Sequence, residues 1–142
     1  MKFLIINPQL LFNSKDKLTT GIVYLPIAIA SISANLKKNS IDHKVLDLFG
    51  NKPKQISKLD NFFVLGENIE QYSEEISAYD AIFVYANQVI NHLSTLNIIK
   101  QIRALDKSVK IITFENTQAV TAYSLKNIYK DFIFAENDYV LI

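Results

Sequence analysis

Lys2–Pro8, KFLIINP, and Tyr24–Gly50, YLPIAIASISANLKKNSIDHKVLDLFG, decide the fold. The first stretch holds Phe3–Ile6, apolar on both faces, as a central parallel strand requires. In the second, Pro26 suits a first helical turn, where its missing N–H costs little. Leu25, Ile29, Ile32 and Leu36 then recur at helical spacing to about Lys38. Small residues at Ala28, Ser31 and Ala34 would let this helix approach the sheet. Lys37 and Lys38 favour the last turn, and Asn39 can cap it. Lys44–Phe49 reads as a second strand. Strand, loop, helix, strand opens a parallel α/β sheet, in which ligands sit at the carboxyl ends of strands. Asn7, Pro8 and Gln9 therefore fall on a candidate rim.

The remaining segments continue the pattern. Leu10–Gly21 and Asn51–Asp60 read as polar loops, and Phe62–Leu65 as an extra extended piece. Asn68-x-x-Gln71 resembles a capping box opening a short helix to Ser77. Asp80 precedes a third strand, Ala81–Ala86. Val89–Leu105 carries Val89, Leu93, Leu96, Ile99 and Ile102 at helical steps. Val109–Phe114 is strand four, Ala119–Tyr129 a helix and Phe132–Ala135 strand five. The expected fold is α/β: a doubly wound, five-stranded parallel sheet in flavodoxin-like (Rossmann-like) order 2-1-3-4-5, with three α/β/α layers. Residues 1–142 form one expected domain, the N-terminal part of a longer protein lacking its final helix.

Composition narrows the class. With 142 residues, 49% hydrophobic and 20% charged, the chain is an ordinary globular fold and not a disordered one. The net charge of +1, with lysines scattered, suggests neither a nucleic-acid groove nor a membrane-binding face. No cysteine is present, which excludes disulfides, thiol nucleophiles and iron–sulfur ligation within this chain. The apolar run after Lys2 is too short for a signal peptide, and a cytoplasmic location is expected.

The strand ends supply Asn7-Pro8-Gln9, Tyr85-Ala86-Asn87-Gln88, Phe114-Glu115-Asn116-Thr117 and Ala135-Glu136-Asn137-Asp138. They are rich in amides, which hydrogen-bond polar ligands but transfer protons poorly, so binding is favoured over catalysis. His43 reads as a surface turn residue at the amino end of the sheet. His92, near the start of a helix and close to the carboxyl edge, is a candidate axial metal ligand or general base, although a lone histidine is more often solvated or structural. The three glycines form no GxGxxG or P-loop cradle. Thr19-Thr20-Gly21 is a faint echo of a flavin-phosphate loop. A phosphoacceptor domain of this topology needs an acidic pair after strand one, and Asn7 stands there.

Taken in order, KFLIINP, the segment Tyr24–Gly50, Asp80–Ala86 with the helix after it, and Lys130–Asp138 (KDFIFAEND) resemble the N-terminal cobalamin-binding domain of B12-dependent radical S-adenosylmethionine enzymes. The resemblance implies a cobalamin cofactor, with the corrin across the carboxyl edge and its nucleotide tail between strands. It implies contacts from Asn7, Pro8, Gln9, Tyr24 and Pro26, from Tyr85, Ala86, Asn87 and Gln88, from Phe114, Glu115 and Asn116, and from Glu136 and Asn137. A radical catalytic domain would be the partner, in cis or in trans, since a cysteine-free chain cannot hold its cluster. Two motifs depart from the family. Phe114-Glu115 replaces Gly-Gly, and Ala135-Glu136-Asn137-Asp138 replaces Gly-Glu-Gly-Glu. A Phe ring would occupy ligand volume. Glu115 about 8 Å from the tail phosphate would cost on the order of 2 kcal/mol at an effective dielectric near 20. The alternative expectation is a degenerate domain that binds no cofactor and serves as an interaction or scaffold element.

Overall fold

The computed structural model describes residues 1–13, 15, 25–86, 91–115, 130–132 and 135–141. Strand β1 (Lys2–Asn7) runs parallel to β3 (Asp42–Asp47) on one side and to β6 (Ala81–Tyr85) on the other. Next come β7 (Lys110–Phe114) and β8 (Tyr139–Leu141), also parallel. The order is β3-β1-β6-β7-β8. Counted within this sheet alone, that is the expected 2-1-3-4-5, and the fold is flavodoxin-like.

Side chains alternate across β1, so each neighbour serves a different layer. Ile5 faces helix α1 (Ile27–Lys38) and joins Ile29, Tyr85 and Phe114. Leu4 and Ile6 face the opposite layer and join Ile82, Val84, Ile111 and Phe132. Ile98, Ile99 and Ile102 of helix α4 (His92–Leu105) close that layer. Each fully buried side chain of this kind stabilises by about 1.5–3 kcal/mol before entropy is counted. Pro26 caps α1 where a first-turn position was expected, and Asn39 ends it. Ala28 packs against the sheet as expected, whereas Ser31 and Ala34 lie on the exposed face.

A second, antiparallel sheet was only partly expected. Its strands are β2 (Leu10–Asn13), β4 (Ile56–Leu59) and β5 (Phe62–Leu65), in the order β2-β5-β4. The sequence pattern predicts only β5 as extended, whereas β2 and β4 occupy segments whose composition reads as loop. Pro8, which has no N–H to donate, ends β1 and turns the chain into β2. Gly66, at φ +124°, is required where β5 ends: a Cβ there would lie 2.4 Å from the Leu48 carbonyl oxygen. Helix α2 (Leu48–Asn51) takes up Phe49, which had been assigned to a strand. Asn68 accepts from Glu70 N at the head of a 3-10 turn, Ile69–Tyr72, which leads into α3 (Ser73–Ile76).

The fifth strand lies later than expected. Residues 130–132 are helical, and Phe132 is fully buried, its ring edge-on to His92 at 5.6 Å. Asn137 N donates to Phe132 O, and Glu136 adopts φ 63°, so buried Phe132 and Ala135 anchor the turn that feeds β8. The expected helix Ala119–Tyr129 lies outside the described residues.

Candidate functional site

At the carboxyl edge, Asn7 and Asp47 end adjacent strands in register. The Asn7 amide nitrogen donates to Asp47 Oδ1 at 2.8 Å, and Gly50 N donates to the same oxygen at 2.9 Å. A Cβ at Gly50 would stand 2.1 Å from Asp47 Oδ2, so a larger residue there would displace the carboxylate. Asn7 is 2% exposed, and its Oδ1 has no partner among the described residues. Leaving such an acceptor unpaired costs about 1–3 kcal/mol.

Gln9, expected to meet a cofactor, is committed within the fold. Its amide donates to the Glu67 carbonyl at 2.7 Å and accepts from Ser94 Oγ at 3.3 Å. Asn91, 1% exposed, caps α4 and accepts from Leu11 N at 2.9 Å. These two bonds latch β2 onto α4. Pro8 is buried beside them.

The aromatic residues at the rim point inward. Tyr85 and Phe114 end β6 and β7, with ring centroids 5.2 Å apart and exposures of 4% and 6%. Phe114 also meets Phe83 edge-on at 6.4 Å. Ala86 is buried, and its N donates to Phe114 O. Glu115 is half-buried. Among the described residues this rim offers one unsatisfied acceptor, and the Phe114 ring stands where the resemblance would place glycine. Tyr24, Asn87, Gln88 and Asn116 lie outside the described residues. Pro26 is at the rim, at the head of α1.

Glu136 and Asn137 belong to the opposite edge. They precede β8, and Asp138 N donates to Ile111 O near the start of β7. Arg103 holds this turn, donating to Glu136 O at 3.0 Å and to Asp138 Oδ2 at 2.7 Å. Burial would raise the Asp138 carboxyl, but bonds from Ile111 N, Arg103 and Lys110 outweigh it and hold the group below its ordinary value. The expected placement followed from assigning strand five too early.

Glu67 was missed. It is 5% exposed and takes hydrogen bonds from Lys52 Nζ at 2.7 Å, Asn51 Nδ2 at 3.1 Å and the Tyr72 hydroxyl. The Lys52 bond, followed by the Tyr72 bond, holds its carboxyl below the ordinary range. Burial, then the Glu67 carboxylate, pushes the Tyr72 hydroxyl up. A carboxylate held ionised in this way accepts hydrogen bonds and does not serve as a general acid at neutral pH. Its role is to tie the small sheet to α2. The acid next to Gly66 was the only sequence signal.

His43 lies on β3 rather than in a turn, within 2.8 Å of Ser33 Oγ. His92 stands 3.2 Å from Asp131 Oδ2. Among the described residues no group of three or more metal-ligating side chains converges, and no helix is long and apolar enough to cross a membrane.

No family model and no curated protein matches the chain. A solved structure from Burkholderia pseudomallei, described as pilus assembly-related, aligns over 99% of this chain and 76% of its own length, with a TM-score of 0.51 and 13% identity. At that identity the likeness concerns the fold alone.

Proposed function

We propose that this chain is a cofactor-free interaction module on a flavodoxin-like fold, with no chemistry of its own. The observation that carries the reading is the inward commitment of the rim. Tyr85 and Phe114 pack as core, and both polar ends of Gln9 are bonded within the protein. Polar groups already paired inside a fold have little to offer a ligand. The partner in this reading is another protein, and the cytoplasm is its compartment. The test is a titration of the purified chain with hydroxocobalamin, followed by its visible spectrum. A flat titration to high micromolar cofactor is expected, and saturable uptake would overturn the reading.

One observation favours a second reading, cobalamin binding beside a radical catalytic domain. Asn7 Oδ1 is buried without a described partner at the end of β1, where a ligand donor would satisfy it. Under this reading Phe114-Glu115→Gly-Gly should strengthen uptake by opening the space the ring fills. A variant that still ignores cobalamin would remove steric blockage as the explanation.

A further inference from the structure

The small sheet leaves one edge open, and its bonding pattern can be worked out from the hairpin. Strands β4 and β5 join through two residues, Asp60 and Asn61, with Leu59 opposite Phe62. In such a hairpin the pair flanking the turn exchanges both backbone bonds, and bonded and non-bonded pairs alternate from there. Leu59 and Ser57 therefore bond inward, and Gly66 N donating to Gln55 O at 2.9 Å continues the alternation. Ile56 and Lys58 are left with their N–H and C=O groups directed away from β5. The opposite edge of this sheet, β2, is latched by Asn91.

Three further features surround the open edge. Ile56 is 61% exposed, a large apolar side chain on an outward-bonding residue. Lys54 and Lys58 are exposed and form no ion pair among the described residues, whereas Lys52 is held by Glu67. Between β4 and α4 lies a groove of about 210 Å³, with apolar Leu59 and Val64 and the amides of Gln9, Asn68, Asn97 and Gln101 in its lining beside Ser57 and Lys58. A strand laid beside β4 would turn alternate side chains toward this amide-rich groove.

We infer that the β4 edge is a docking site for an extended, acidic segment of a partner protein, bound by strand addition. The inference rests on the cofactor-free interaction reading and names the surface that reading requires. Lysines on an edge discourage pairing between identical copies, because like charges would meet. The same two charges select an acidic strand over a basic one. Main-chain bonds at Ile56 and Lys58 supply the attachment, and the groove accepts short polar side chains.

The probe is a dye-labelled peptide of alternating Glu and Val, compared by fluorescence anisotropy with a twin carrying Lys in place of Glu. Saturable binding of the acidic peptide is expected, about ten-fold tighter than its twin. The double variant Lys54→Glu/Lys58→Glu should reverse that preference. Ile56→Pro removes an outward N–H without touching the β4–β5 ladder, and should abolish binding of both peptides. Equal affinity for the two peptides, no saturable binding to about millimolar peptide, or binding unchanged in these variants would each overturn the proposal. So would sedimentation showing a dimer of the native chain that Ile56→Pro dissolves, since the occupant would then be a second copy. The hydroxocobalamin titration is independent of these outcomes, so failure of the docking edge and failure of the cofactor-free reading remain distinguishable.

Discussion

The two sheets use the same strand chemistry to opposite ends. In the parallel sheet, β1 and β6 are apolar on both faces, helices cover them, and the rings of Tyr85 and Phe114 pack inward at the carboxyl edge. In the antiparallel sheet, one edge is latched by an amide and the other, β4, is exposed along most of its length. Stability is concentrated in the first and availability in the second. Substitutions should separate the two by their cost. Phe132→Ala, at a fully buried ring, is expected to lower unfolding free energy by about 3–5 kcal/mol, and Ile82→Ala by about 2–5 kcal/mol. Ile56→Ala on the open edge should stay within about 0.5 kcal/mol. Urea titrations followed by circular dichroism measure all three, and comparable losses at Ile56 and Ile82 would erase the contrast.

The joint between the sheets comes next in size. Glu67→Gln keeps the shape but removes the charge that Lys52, Tyr72 and Asn51 address, and should cost about 1–3 kcal/mol. The sign of its pH dependence follows from the lowered carboxyl. Stability from Glu67 is fully present above the ordinary value of 4.5 and is lost as pH falls through the lower folded-state value. In Glu67→Gln that part of the acid limb should vanish from a plot of stability against pH. Gln9→Ala strands the Glu67 carbonyl and Ser94 Oγ, and about 1–2 kcal/mol is expected from the same measurement.

The parallel sheet was readable because burial on both faces writes itself as unbroken apolar runs, as in Phe3–Ile6 and Ala81–Tyr85. The small sheet was harder to read because its strands are short and half-solvated. Ile56-Ser57-Lys58-Leu59 looks polar, and its pairing depends on Phe62–Leu65 across a tight turn. Strand five was placed too early because Phe132 and Ala135, which are buried to anchor a turn, stand in a stretch with the composition of a buried strand. At the candidate site, the position of Asn7, Gln9, Tyr85 and Phe114 near strand ends was legible. The direction their side chains take was not, because a strand's period tells which face a residue occupies but not whether its amide finds a partner from a distant helix. Ser94 and Asn91 are such partners, 85 and 80 positions along the chain from Gln9 and Leu11.

The smallest expected effect is the most discriminating. Lys54 and Lys58 are exposed and form no ion pair among the described residues, so Lys54→Glu/Lys58→Glu should move stability by less than about 0.5 kcal/mol. Yet those positions carry the proposed selectivity for an acidic strand, and that selectivity is electrostatic in origin. Raising salt from about 0.05 M to 0.5 M shortens the screening length from roughly 14 Å to 4 Å, so the native chain's preference for the acidic peptide should shrink. Binding through main-chain bonds at Ile56 and Lys58 should persist with the charge preference reduced. If high salt left the preference intact, the lysines would not be its source. If high salt removed binding altogether, the open backbone would contribute nothing, and the edge would be a charged patch and not a docking strand.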